Sequence, residues 1–185
     1  MRVTREQMAA NRSRILEEAG RLFRERGFEA VTIADVMKAA GLTHGGFYGH
    51  FASKDALIAA VVAQSLSADV PEKVEIGAWI EAYLSPRHRD APEQGCPTAS
   101  LAGLMRQQTP EAQAAMAEGI DAQIARLAHA LPSGSDAERR RDAIGRWSAL
   151  VGALILSRAV GTAPLSDEIL SETRAWIGNM RTEDA

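Results

Sequence analysis

Apolar residues recur at intervals of three and four along almost the whole chain, and no stretch alternates with a period of two. The pattern predicts helices and no strands. From Arg12 to Arg26 the buried stripe is Ile15, Leu16, Ala19, Leu22 and Phe23, with Glu17, Arg21, Arg24 and Glu25 off it and Gly27 as the stop. Thr32 is placed to cap a short helix from Ile33 to Ala40, in which Ala34, Val36 and Met37 are available to pack; Gly41 breaks it. Thr43 is the next capping candidate, for a third helix from His44 to about Phe51. Ser53 opens a fourth, whose stripe Leu57, Ile58, Val61, Val62 and Leu66 ends near Val70-Pro71.

Longer helices follow. Ile76, Trp79, Ile80, Tyr83 and Leu84 form one amphipathic segment, and Ser85 to Pro97, with three prolines, reads as a loop before a short helix from Thr98 to about Arg106. Thr109-Pro110-Glu111 has the order of cap, first-turn proline and an acid favourable at a helix N-terminus, and starts a helix to about Ala130. Ser135 and Glu138 have the spacing of a capping box. They head a helix to about Val160 that turns Ile144, Trp147, Leu150, Val151, Leu154 and Ile155 inward. A last helix from Ser166 carries Ile169, Leu170, Trp176 and Ile177. The expectation is an all-α chain of about nine helices. Residues 1–54 would form an N-terminal unit, a helix over about 53–70 would connect, and residues 71–185 would form a second helical domain.

Charge divides along the same line. The formal net charge of the 185 residues is −3, which excludes a uniformly basic nucleic-acid coat, yet residues 1–60 carry nine Lys/Arg against seven Asp/Glu while residues 61–185 carry twelve against seventeen. The single cysteine, Cys96, excludes an internal disulfide framework and a cysteine-rich zinc site. His44, His50, His88 and His129 show no metal-ligand spacing, and no phosphate-cradling glycine motif occurs, so neither an enzyme nor a metal or other cofactor is expected. No apolar N-terminal stretch suggests a secretory signal, and the most apolar segment, Trp147 to Leu156, is far short of the roughly 20 residues of a membrane span. A soluble, cytoplasmic protein is expected.

The segment from Val31 to Lys54 carries the chemistry. A short helix, a glycine-containing turn and a second short helix is the helix-turn-helix arrangement, whose second helix lies in a major groove. Ala34, Met37 and Ala40 would let the two helices cross closely, and Leu42 and Phe47 would pin them. Thr43, His44, Gly45 and Gly46 form a turn free of bulky apolar groups, suited to base edges; Tyr48, His50 and Lys54 follow at spacings that suit a phosphate track. Phe51 reads as core, and Arg12 and Arg14 as solvated charges or a DNA-reaching arm.

The run Ala40-Gly41-Leu42-Thr43-His44-Gly45-Gly46-Phe47-Tyr48-Gly49-His50-Phe51-Ala52-Ser53-Lys54 closely resembles the hallmark of the DNA-binding domain of TetR-family transcriptional regulators. The resemblance covers about a quarter of the chain. It implies backbone contacts by Thr32, Tyr48, His50 and Lys54, and base-facing positions from Thr43 to Gly46. Phe47 stands where the family usually has Leu, and Gly46 with Gly49 makes this recognition helix unusually glycine-rich, each glycine costing roughly 1 kcal/mol of helix propensity relative to Ala.

In that family the second domain binds a small molecule and forms a homodimer. The wide apolar faces of the last two helices, with Gly145, Ala149, Gly152 and Ala153 permitting close approach, independently suggest a two-fold interface. Trp147, Leu150, Val151, Leu154, Ile155, Leu170, Trp176 and Ile177 are the expected dimer contacts. Trp79, Tyr83, Cys96, Met105, Met116, His129 and Trp147 are candidates to line an effector pocket, although each also suits a plain core role. Gly95-Cys96-Pro97 and the following Leu-Ala resemble a signature of one TetR-type subgroup, some of whose members sense electrophiles or oxidants through cysteine. Cys96 is therefore either a small buried hydrophobe or a sensor. The expected function is a ligand-responsive repressor that binds a near-palindromic double-stranded DNA operator as a homodimer and is released by a small apolar or electrophilic effector. A cysteine-based sensor of the same fold and a DNA-bound activator are the alternatives.

Overall fold

The computed structural model describes residues 4–67 and 76–179, so the expected end of the connecting helix near Val70-Pro71 lies outside the described residues. Among the described residues nine α-helices run in chain order: α1 Arg5–Ala30, α2 Ile33–Ala39, α3 Lys54–Leu66, α4 Ile76–Tyr83, α5 Pro86–Asp90, α6 Pro97–Leu101, α7 Pro110–Ala130, α8 Asp136–Ala159 and α9 Pro164–Asn179. Three 3₁₀ segments lie between them, at His44–Gly49, Pro92–Gln94 and Ala102–Gln107. Among the described residues there is no strand, and no helix is long and apolar enough to cross a membrane.

Most element boundaries follow from local chemistry. The hydroxyls of Thr4, Thr32, Ser53, Thr109 and Ser135 each accept a hydrogen bond from a backbone N–H in the first turn of the helix they precede. Thr32 with Asp35 and Ser135 with Glu138 complete reciprocal capping boxes. α1 begins earlier than its apolar stripe, because Thr4 supplies the cap. Gly27 (φ 78°) does break the helical run, and the chain then turns Phe28 edge-on to Phe23 at 5.2 Å between ring centroids. Only glycine takes that left-handed position without strain.

Three sequence expectations need correction. Residues 85–97 are not a plain loop: Pro86, Pro92 and Pro97 each sit in the first turn of a short helical segment, where a missing N–H costs nothing, so prolines that read as breakers act as starters. The expected helix at 98–106 divides into α6 and a 3₁₀ segment. Ala34, Ile144 and Ile155 face solvent rather than the interior.

Two apolar cores result, and they do not divide the chain near residue 70. The first joins α1, α2, the 44–51 region and α3 to Leu101, Met105, Ala112 and Met116. The second gathers Ile76, Ile80, Tyr83, Leu84, Leu127, Trp147, Leu150, Leu154, Leu170 and Ile177, and Ile120 packs against both. α3 lies along α7, and at their closest approach a Cβ built on Gly119 would stand 2.4 Å from the Cβ of Leu66. Gly119 thus lies directly against the Leu66 side chain, with no room for a methyl group. Gly119→Ala is therefore expected to destabilise the protein by about 1–3 kcal/mol in urea unfolding despite its better helix propensity.

Candidate nucleic-acid interface

The 44–51 region is anchored from below and open above. Phe47 and Phe51 are buried and stacked with ring centroids 5.8 Å apart, while Tyr48, edge-on to Phe47, is 64% exposed. Thr43, His44, Gly45, Gly46 and Gly49 are exposed on the same segment, and His50 and Lys54 are half-buried beside it. The recognition segment is not an α-helix but a 3₁₀ turn, held by Gly46 N–H to Thr43 O (3.0 Å) and His50 N–H to Phe47 O (2.8 Å). Three glycines in six residues make α propensity too weak to hold the wider helix, and the two phenylalanines fix the tighter turn instead. Thr43 stands at the N-cap position without capping, which leaves its exposed hydroxyl unspent on the helix. The Thr32 hydroxyl differs: it accepts from the Asp35 N–H (3.1 Å) and donates to Asp35 Oδ2 (2.6 Å), and this last bond, with one from the Thr32 N–H to the same oxygen (2.9 Å), holds the Asp35 carboxyl below the usual carboxylate range.

The far end of this turn depends on a residue from α1. Arg12 Nη1 donates to His50 O (2.7 Å), and its guanidinium lies 4.1 Å from the centre of the Phe51 ring. Arg14 bonds Asn11. Neither is a free arm: Arg12 is a clamp on the recognition turn. No local pattern signals this, since the partner lies 38 residues away.

In the second core, Trp79, Tyr83 and Trp147 come together, with His88 edge-on to Tyr83 at 4.7 Å. His88 was not singled out in the sequence, yet its Nδ1 lies 2.7 Å from Tyr83 O and its Nε2 accepts from Cys96 N–H (2.9 Å). Those partners assign the proton to Nδ1, and burial holds the ring's pKa below the ordinary histidine value, so it is neutral. Cys96 is half-buried at the start of α6. The remaining pocket candidates disperse: Met105 and Met116 belong to the first core, and His129 is on the surface.

The segment from α5 to α6 also ties the two halves together. Arg24 of α1 donates through Nε (2.9 Å) and Nη2 (2.7 Å) to Glu93 O. Arg158 of α8 donates to Arg89 O, His88 O and the Ser100 hydroxyl, and Arg89 reaches Ser166 and Asp167 of α9.

Of the expected dimer contacts, Trp147, Leu150, Leu154, Leu170 and Ile177 are buried within this chain and have no surface left for a partner. Their stripe faces α9 and α4 of the same chain. The apolar surface that remains exposed is Ile144, Ile155, Leu156, Leu165 and Trp176, with Val151 half-buried. Between α8 and α9 an open groove of about 440 Å³ is lined by Ala149, Gly152, Leu156, Ile169 and Trp176, among others.

Comparison with known proteins agrees with this geometry. The profile of the bacterial regulatory proteins of the tetR family matches residues 15–61. The HTH-type transcriptional regulator TtgR of Pseudomonas putida is 39% identical over 62 residues, which span 34% of this chain and 30% of that relative. The HTH-type transcriptional repressor KstR2 of Mycobacterium tuberculosis is 40% identical over 52 residues, 28% of this chain and 26% of the relative. The fold extends the likeness over nearly the full length. The reduced form of E. coli NemR superposes with a TM-score of 0.74 over 91% of this chain and 95% of its own at 21% identity. A TetR transcriptional regulator from Legionella pneumophila gives 0.71 over 90% and 95%, also at 21%. Residues 15–61 are thus similar to the tetR family of bacterial regulatory proteins, and the described chain shares the all-helical fold of these two solved structures.

Proposed function

We propose that this chain is a transcriptional repressor that binds a near-palindromic operator as a homodimer and leaves it when a small molecule binds the second core. The observation that carries the reading is the 44–51 turn. Its two phenylalanines are sunk into the core, so Thr43 to Gly46 before them and Tyr48 and Gly49 between them are offered outward on a packed base. With Gly45 and Gly46 at its tip, such a turn can bring backbone close to the floor of a groove while Tyr48 and Lys54 engage phosphate. Affinity then comes mainly from the phosphate track. Thr32, with its hydroxyl proton given to Asp35, serves chiefly to fix the start of α2.

Two such turns must meet half-sites about 34–36 Å apart, so a symmetric pair is required. The exposed faces of α8 and α9 suit a second copy, because Gly145 and Gly152 have nothing within 4 Å of a Cβ and Leu156 and Trp176 project beside them. Effector release needs tighter effector binding to the conformation that does not fit the operator. The bonds from the second core through His88, Cys96 and Glu93 to Arg24 of α1 supply a physical connection.

Operator fragments selected from genomic DNA at low salt should be bound, and the affinity should fall steeply as salt rises. Tyr48→Ala is expected to weaken binding at least about tenfold with an unchanged circular dichroism spectrum, and Lys54→Ala to reduce the slope of log affinity against log salt by about one. Retention of full affinity by both variants would refute the assigned surface. Leu156→Glu with Trp176→Glu should sediment as a monomer and lose operator binding, while the wild-type chain sediments as a dimer.

A further inference from the structure

We propose that the Trp79–Tyr83–Trp147 cluster is the effector site, and that its ligand is a small, flat, uncharged molecule presenting an oxygen acceptor, of the aryl ketone class. The proposal deepens the effector-responsive reading and rests on it. Trp79 and Tyr83 lie one turn apart on α4 with centroids 5.3 Å apart. Trp147 of α8 lies nearly parallel to Trp79 (6.2 Å, 19°) and edge-on to Tyr83 (5.7 Å, 61°). Trp147 is 6% exposed and Tyr83 is 7% exposed, yet Trp147 Nε1 and Tyr83 Oη have no hydrogen-bond partner. Both are donors, and buried donors are normally satisfied, because leaving one bare costs its full desolvation.

Neighbouring groups do not fill the need. Both ring nitrogens of His88 are already engaged, and that ring lies against Tyr83. The Cys96 thiol stands beside the Tyr83 hydroxyl, but sulfur is a weak acceptor, and this contact is no substitute for an oxygen partner. The charge around the site selects the ligand further. Aromatic clusters can hold organic cations, but here Arg158 contributes positive charge next to Tyr83 and both free groups are donors, which opposes a cation. An anion would need a guanidinium aimed at the two donors, and the bonds of Arg158 turn its Nε, Nη1 and Nη2 to Arg89 O, the Ser100 hydroxyl and His88 O, with none to Tyr83 or Trp147. What remains is a neutral acceptor able to slide a flat ring among three aromatic side chains. Its oxygen would take the two bare protons, and its bulk would press on the Tyr83–His88 contact that leads through Cys96 to the α5–α6 segment.

Calorimetric titration of the full-length protein with acetophenone, ethylbenzene, benzoate and benzyltrimethylammonium tests this. Acetophenone should bind about tenfold or more tightly than the other three, which share its ring and differ in the acceptor or the charge. Tyr83→Phe together with Trp147→Phe should erase the preference for acetophenone over ethylbenzene. Tyr83→Phe alone should reduce the preference and leave the melting temperature no lower than wild type, since it removes an unpaired buried hydroxyl. Equal binding of ethylbenzene, tighter binding of benzoate or the ammonium ion, no heat with acetophenone at millimolar concentration, or a preference that survives both substitutions would overturn the assignment. Operator release is measured separately. Acetophenone that binds through Tyr83 and Trp147 without releasing DNA overturns the effector-responsive reading and leaves the site standing. Release that is indifferent to both residues overturns the site alone.

Discussion

Backbone carbonyls that no helix can satisfy are the constraint on which this structure turns. A chain of short helices has many ends, and each end leaves acceptors without partners. Here four arginines supply the donors: Arg12 to His50 O, Arg24 to Glu93 O, Arg158 to His88 O and Arg89 O, and Arg146 to Ile177 O. Each reaches from a long helix to an end or bend elsewhere. Charge-assisted bonds of this kind are stronger than neutral ones, and the planar guanidinium can serve two acceptors at once. The irregular segments, which include the recognition turn and the bridge from α5 to α6, thereby borrow the rigidity of α1 and α8.

The same arrangement joins the two apolar cores. The first core draws Leu101, Met105 and Met116 from beyond the helix-turn-helix segment, and Ile120 touches both cores. α8 separates two tasks by face: Trp147, Leu150 and Leu154 fill the interior, while Ile144, Ile155 and Leu156 look outward. On the proposed reading, a small molecule in the interior and a second copy on the exterior would press on one helix from opposite sides.

Much of the fold was legible in the sequence because amphipathic stripes and hydroxyl caps are local signals. The stripe from Ile15 to Phe23, the Thr32 and Ser135 capping boxes and the run from Ala40 to Lys54 all depend on residues within a few positions of one another. The 3₁₀ form of residues 44–49 was harder to read. Its glycines weaken a helix without saying which tighter turn replaces it, and that choice is made by Phe47 and Phe51 packing on a core assembled from distant segments. The roles of Arg12 and Arg24 were not legible, since partners 38 or 69 residues away leave no periodic trace. On α8, a stripe broad enough to serve both an internal core and an outer face cannot be divided until the neighbours of each residue are known. Hence Leu150 and Leu154 were expected at an interface and lie inside.

Gly119 against Leu66 has a mechanical consequence. The contact falls at the last residue of α3, whereas Lys54 opens the same helix beside the recognition turn. Twelve residues of helix rise make a rod of about 18 Å, so a tilt of about 5° at the glycine sweeps the opposite end through roughly 1.5 Å. Each protomer of a symmetric pair would add its own arc, and the pivot is sited where a modest rotation of α7 becomes a misfit of ångströms.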